Sequence, residues 1–153
     1  MPQIVADSVD AYIIRRLNAR LQFLLLLRRA DAILGNTWQS IHQHIEPGET
    51  TLAAAERGIA AATGLAIVEA YSADFINQAF DQQRDAIVLA PVFAFVAAPK
   101  PPVHLGDEFV DSAWCDAEEA TARLLLAGQR WAIRQIDDLI GMSGPDAEFY
   151  RLW

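Results

Sequence analysis

The chain has a single cysteine, Cys115, among its 153 residues, so no intrachain disulfide can form and a reducing compartment is its natural home. A lone cysteine in this setting reads as a small buried hydrophobe rather than a nucleophile. Lysine is nearly absent. Lys100 is the only one, and arginine, the better fork for phosphate oxygens, supplies the remainder of the 12 basic residues. Acidic groups outnumber basic ones, leaving a net charge of −8. That balance excludes polymeric nucleic acid as a partner, because such binding rests on neutralising many phosphates. A small nucleotide in a local basic pocket stays compatible with it. No long apolar run occurs: Leu21–Leu27 ends in Arg28-Arg29 and is far too short to span a bilayer, so no membrane association is expected. The N-terminus shows no basic segment followed by an apolar stretch and a cleavage site, and the expected location is cytoplasmic. Internal repeats and low-complexity segments are lacking too.

What is present is a globular composition, 53 % hydrophobic and 21 % charged, in a length that suits one core. A single domain over residues 1–145 is expected, with Asp146–Trp153 as a C-terminal tail. Val9–Arg16 and Gln22–Arg28 read as strands around a short turn, and Trp38–Glu46 as an extended segment. Ala70–Phe80 and Ala86–Ala97 read as strands flanking the polar turn DQQRD, with Pro91 predicting a bulge or an edge position. Pro99-Lys-Pro-Pro102 reads as a stiff surface connection. Val110–Cys115 is a last strand, after which Asp116 with Glu119 makes a near capping box. Helices are expected over Ala117–Ala127 and Gln129–Ile140, and Gly141–Pro145 closes the fold.

One stretch is more informative than the rest. His44–Leu65 reads HIEPGETTLAAAERGIAAATGL, an acidic Pro-Gly turn followed by an alanine-rich run that ends in glycine. Thr50 or Thr51 is the expected N-cap and Gly64 the expected stop, which predicts a helix over Thr51–Thr63. The spacing resembles the Nudix box, the loop–helix motif of hydrolases that cut nucleoside diphosphates linked to another group. In that family a glycine is followed after five residues by glutamate, and after seven more by Arg-Glu-aliphatic-x-Glu-Glu-x-Gly-aliphatic. Anchored on Glu49, the box arginine is Arg57, the aliphatic position Ile59 and the closing pair Gly64-Leu65. The opening glycine is replaced by Gln43, with His42 before it. The three helix carboxylates of the family fall at Gly58, Ala61 and Ala62. Positions i, i+3 and i+4 share one helix face. Three glutamates there would hold Mg²⁺ through hard oxygen ligands and activate a bound water. Glycine and alanine do neither, and Glu56, about 200° around the helix from position 58, points elsewhere.

The resemblance runs from about Ser8 to Asp138. Trp38-Gln39-Ser40, Ala90-Pro-Val-Phe-Ala-Phe-Val96, and Asp107-Glu108 followed by Trp114 are similar to bacterial dATP or dihydroneopterin triphosphate pyrophosphohydrolases. It implies an α/β fold, a Nudix-like α/β/α sandwich around a mixed β-sheet, a nucleotide or nucleotide-like ligand, and by family analogy a homodimer. Two functional readings follow. In the first, the protein has lost most or all hydrolysis, needs no cofactor, and binds a nucleotide or a protein partner. In the second, it is a working pyrophosphohydrolase of a (deoxy)nucleoside triphosphate or related compound. Its rebuilt site would then hold Mg²⁺ or Mn²⁺ on Glu46, Glu49 and Glu108, with Glu49 and Glu108 catalytic. The candidate ligand-binding residues are Arg28, Arg29, Trp38 and Arg57. Either of the first two could grip phosphate bidentately from a strand end, and Trp38, like Phe80, offers an aromatic face for a base. In the family the arginine and glutamate matching Arg57 and Glu49 tie the loop to the helix. Glu108 reads equally as an exposed loop acid beside Asp107 and Asp111. His42, His44 and Glu46 alternate, so an extended segment puts them on one face. There they read either as ligands for a transition metal or as a polar wall.

Overall fold

The computed structural model describes residues 1–99, 101–142 and 144–153. Eight strands form one mixed sheet: β1 (Gln3–Val5), β2 (Ser8–Leu17), β3 (Arg20–Arg28), β4 (Trp38–Gln39), β5 (Ile41–His44), β6 (Ile67–Asp81), β7 (Ala86–Ala97) and β8 (Phe109–Cys115). Three α-helices accompany them: α1 (Thr51–Thr63), α2 (Ala117–Arg123) and α3 (Ala127–Ile136). Alternation along β2 sorts the core into two halves. Val9, Ala11 and Ile13 meet Ile59 and Ala62 of α1, while Tyr12 and Ile14 meet Ile133 and Ile136 of α3. Helices therefore cover both faces, as an α/β/α sandwich requires. The leucine run of β3 is buried on both sides, which explains why it does not alternate in sequence.

The topology makes a wedge. β2 pairs with β3 only from Ile14↔Phe23 to Leu17↔Arg20, and on the same edge β5 pairs with Ser8–Ala11. β3 continues instead with β4, through Leu26↔Gln39 and Leu27↔Trp38, and β8 lines its other edge. The gap where β2 and β3 diverge is thus bordered by Arg28, by residues 38–44 and by the end of α1. At the far side of the sheet, β7 carries β1 and β2 in parallel on one edge and β6 antiparallel on the other.

Most expected elements appear within a residue or two, and α1 and β7 match at both ends. Thr50 is the N-cap of α1, its hydroxyl accepting from Ala53 N–H at 3.1 Å, and Gly64 ends the helix at φ 66°. The expected irregularity at Pro91 lies in the facing strand: β6 bulges between Ser72 and Ile76, with Ile76 opposite Pro91. β1 was not expected at all. The helix expected over Ala117–Ala127 stops at Arg123, because Leu124 turns extended to bridge Trp38. The following helix starts at Ala127, ends at Ile136 and passes into a wide turn over Asp137–Met142. Gly144–Tyr150 forms a 3₁₀ segment that buries Ala147, and Leu152 N–H donates to Ala70 O at 2.7 Å. Lys100 of the expected proline-rich connection and Ser143 of the expected terminator lie outside the described residues. Among the described residues no helix is long and apolar enough to cross a membrane.

Candidate functional site

The wedge between β2 and β3 opens on a cleft lined by Arg28, Ser40, His42, Gln43, Gly58, Ala62, Glu108 and Phe109. Its free volume is about 20 Å³, room for a single water. On the α1 side the loop and helix are tied by one bidentate ion pair. Arg57 Nε donates to Glu49 Oε2 at 2.9 Å, and its Nη2 donates to Glu49 Oε1 and to His44 O, both at 2.8 Å. Glu46 N–H also donates to Glu49 Oε1. The Arg57 guanidinium, with that backbone donor, holds the Glu49 carboxyl down at about 2. A carboxylate so engaged has both oxygens committed to the scaffold.

The three α1 positions at which the resemblance expects carboxylates are Gly58, Ala61 and Ala62. Gly58 faces Gln43 across the α1–β5 contact, and a Cβ built on Gly58 would lie 2.8 Å from Gln43 Oε1 and 3.2 Å from Gln43 Cβ. The two positions are sterically complementary: bulk absent from the helix at 58 is present in the strand at 43. Ala62 is 4 % exposed and belongs to the core beneath α1, whereas Ala61 is exposed. Its carbonyl lies so near Gly106 that a Cβ there would sit at 2.6 Å. Among the described residues no group of three His, Cys, Asp or Glu stands close enough to hold a metal ion. A divalent cation does not fit this donor set.

Of the candidate carboxylates only Glu108 borders the cleft. Glu46 is exposed, and Glu49 is turned to Arg57. Glu108 lies 3.7 Å from Arg28, whose guanidinium carbon is 5.7 Å from the Phe109 ring. Arg28 is therefore the cation at the cleft mouth. Arg29 is pinned away, donating to Asp31 Oδ1 at 2.7 Å and to Asp107 O at 2.9 Å. Trp38 packs against the α3-side core with the Arg123 guanidinium over its ring at 4.9 Å. Phe80 is 62 % exposed at the distant β6–β7 hairpin.

His42 and His44 do not converge with Glu46. His42 Nδ1 lies 2.5 Å from Asp10 Oδ1, and His44 Nδ1 is 4.0 Å from Asp7. Asp10 is 3 % exposed and also accepts from Asn77 Nδ2 at 3.1 Å. Its carboxylate raises the His42 pKa against the opposing effect of burial. Beside this pair, Gln129 of α3 donates to Gln39 Oε1 at 2.9 Å, and neither Gln129 Oε1 nor the buried Ser8 Oγ finds a partner among the described residues. A polar floor thus runs beneath α3 where a hydrophobic layer would be expected. The sequence carried one sign of it, the charged Asp10 directly before the apolar run Ala11–Ile14 of β2.

The model described as NUDIX domain matches residues 6–139 of this chain. No curated protein matches it closely enough to count as a relative. Solved structures share the fold. A C. elegans Ap4A hydrolase is 21 % identical with a TM-score of 0.69, over 88 % of this chain and 96 % of that one. The E. coli dihydroneopterin triphosphate pyrophosphohydrolase is 21 % identical at TM-score 0.67, over 88 % and 97 %. The NUDIX domain of Shewanella oneidensis NrtR, complexed with ADP ribose, is 15 % identical at TM-score 0.70, over 90 % and 88 %.

Proposed function

We propose, from the premise that this chain belongs to the Nudix family, that it binds a nucleotide or nucleotide-like small molecule without metal-dependent hydrolysis. One observation supports this above the others. The helix face that would carry the metal ligands has Gly58 under the Gln43 side chain, Ala62 in the core, and Glu49 held by Arg57. In this family divalent ions such as Mg²⁺ or Mn²⁺ polarise phosphoryl oxygens. What the cleft keeps is recognition. Arg28 presents a guanidinium fork to phosphate oxygens. A ligand enters by displacing Glu108, whose side chain is 55 % exposed and only loosely paired at 3.7 Å. Ser40, His42 and Gln43, which line the same cleft, supply donors and acceptors for the rest of the ligand. The ADP ribose on the Shewanella domain is a ligand of this class.

The test is a panel of nucleoside triphosphates, nucleotide sugars and ADP-ribose. Each is followed by thermal shift with and without Mg²⁺ or Mn²⁺, and by phosphate and pyrophosphate release. We expect at least one compound to raise the melting temperature without metal, Arg28→Ala to abolish that rise, and no turnover. Metal-dependent turnover that disappears in Glu108→Gln would overturn this reading in favour of a hydrolase rebuilt on Glu108 with Glu46 and Glu49.

A further inference from the structure

The outer edge of β6 is open. Near its start the strand is covered by the chain's own end, with Arg151 bridging Tyr71 and Trp153 O accepting from Ala70 N–H at 2.8 Å. Beyond the bulge, β6 pairs with β7 alone, and among the described residues no strand lies on the other side of Ile76–Phe80. Natural edges are guarded by lysine, proline or inward-pointing charge. Phe75–Phe80 reads FINQAF and has none of these.

We propose that this edge pairs with the same edge of a second copy, antiparallel about a two-fold axis at Gln78. The phase of the ladder suits it. Ile76 faces Pro91, which has no N–H to offer. The ladder loses nothing there if Ile76 turns its own N–H and C=O outward, and by alternation Gln78 and Phe80 do the same. Centred on Gln78, the segment is self-complementary: Ile76 meets Phe80 of the second copy on one face, and Asn77 meets its Ala79 on the other. A chain of net charge −8 resists self-association, yet this register sets no like charges opposite one another. Asp74 falls across from Gln82 and Asp81 across from Phe75. The incoming strand would lie in a groove of about 420 Å³ bounded by Phe75–Gln78, Gly128 and Trp131, whose indole is 59 % exposed. The exposed row Ile4–Ile87–Phe80, defined by the registers of β1, β7 and β6, would then continue into Ile76 of the second copy. The paired segment, residues 76–80 of each copy, is short beside the ~20–30 residues a side of a standard interface, so we expect a concentration-dependent dimer.

Sedimentation equilibrium of the full chain over a wide concentration range tests this. The mass should climb from one chain towards two. Gln78→Pro should weaken association at least about tenfold with circular dichroism unchanged, since an edge residue whose N–H faces solvent tolerates proline. Gln78→Cys should cross-link under mild oxidation, because directly opposed Cα atoms in a hydrogen-bonded pair lie ~5.5 Å apart, within disulfide reach. Cys115, 1 % exposed, does not compete, and Gln3→Cys serves as a control that associates like the parent but does not cross-link. A single-chain mass at every concentration overturns the proposal. So does a dimer that survives Gln78→Pro while Gln78→Cys fails to cross-link, or a monomer whose residues 76–80 respond only to an added unrelated peptide.

Discussion

Two residues 15 positions apart shape one wall of this cleft. Gln43 and Gly58 stand where the box spacing expects a glycine and a carboxylate, and the side chain of the first occupies the space above the second. Ala normally gains up to about 1 kcal/mol over Gly inside a helix, but a methyl at 58 meets Gln43. We therefore expect Gly58→Ala to be more favourable by about 1 kcal/mol in a Gln43→Gly background than in the parent chain. Urea unfolding of the four proteins of that cycle measures the difference, and additivity would refute the contact. Glu49 makes a second case at this scale. Its folded pKa is lowered to about 2 from an ordinary 4.5. The stabilisation it shares with Arg57 is thus complete above pH 4.5 and fades as pH falls through about 2. Amide exchange in the 46–49 loop should accelerate only in that acid window. Arg57→Met should shift the acceleration up towards the ordinary glutamate range. The sequence showed Gly58, Ala61 and Ala62 where the box spacing expects carboxylates; it did not show that Gln43 lies against Gly58, because that depends on how α1 lies across β5.

Among elements, local chemistry was readable and tertiary overrides were not. Both ends of α1 follow from Thr50 and Gly64, and Thr50→Ala should cost about 1 kcal/mol by thermal unfolding. The end of α2 was misread by four residues because nothing near Leu124 signals its bridge to Trp38. The bulge lies in β6, just before Ile76 pairs with Pro91, rather than in β7. The β2–β5 pair carries a further expectation. Asp10 sits directly across from His42 in the ladder and accepts from both His42 and Asn77. Asp10→Ala should cost about 2 kcal/mol, since two donors lose a charged acceptor. The raised His42 pKa adds stability that is present below its ordinary value of 6.5 and is lost as pH rises through the folded-state value. An NMR titration should find the His42 imidazolium persisting above pH 6.5, and Asp10→Asn should bring its midpoint down.

At the scale of the whole molecule, the divergence of β2 from β3 creates the cleft, and two helical layers fix its walls. Strands mixed with three helices were enough to suggest an α/β sandwich, because each apolar face needs a cover, and the resemblance supplied its α/β/α form. The polar floor beneath α3 was not legible: Asp10, Asn77 and Gln129 are far apart in sequence and meet only when β2, β6 and α3 assemble. Ile59, 1 % exposed, is the bolt between α1 and the sheet. Its replacement by alanine should lower stability by about 2–4 kcal/mol, and the same substitution should loosen the cleft wall enough to accelerate exchange at Gln43.

The interlock of Gln43 with Gly58 also bears on redesign. An acid introduced at 58 arrives in a space already filled, while trimming position 43 alone opens a void over the helix. Neither single change gains anything, so the two positions form one unit: a longer side chain fits at 58 only once 43 has been made small.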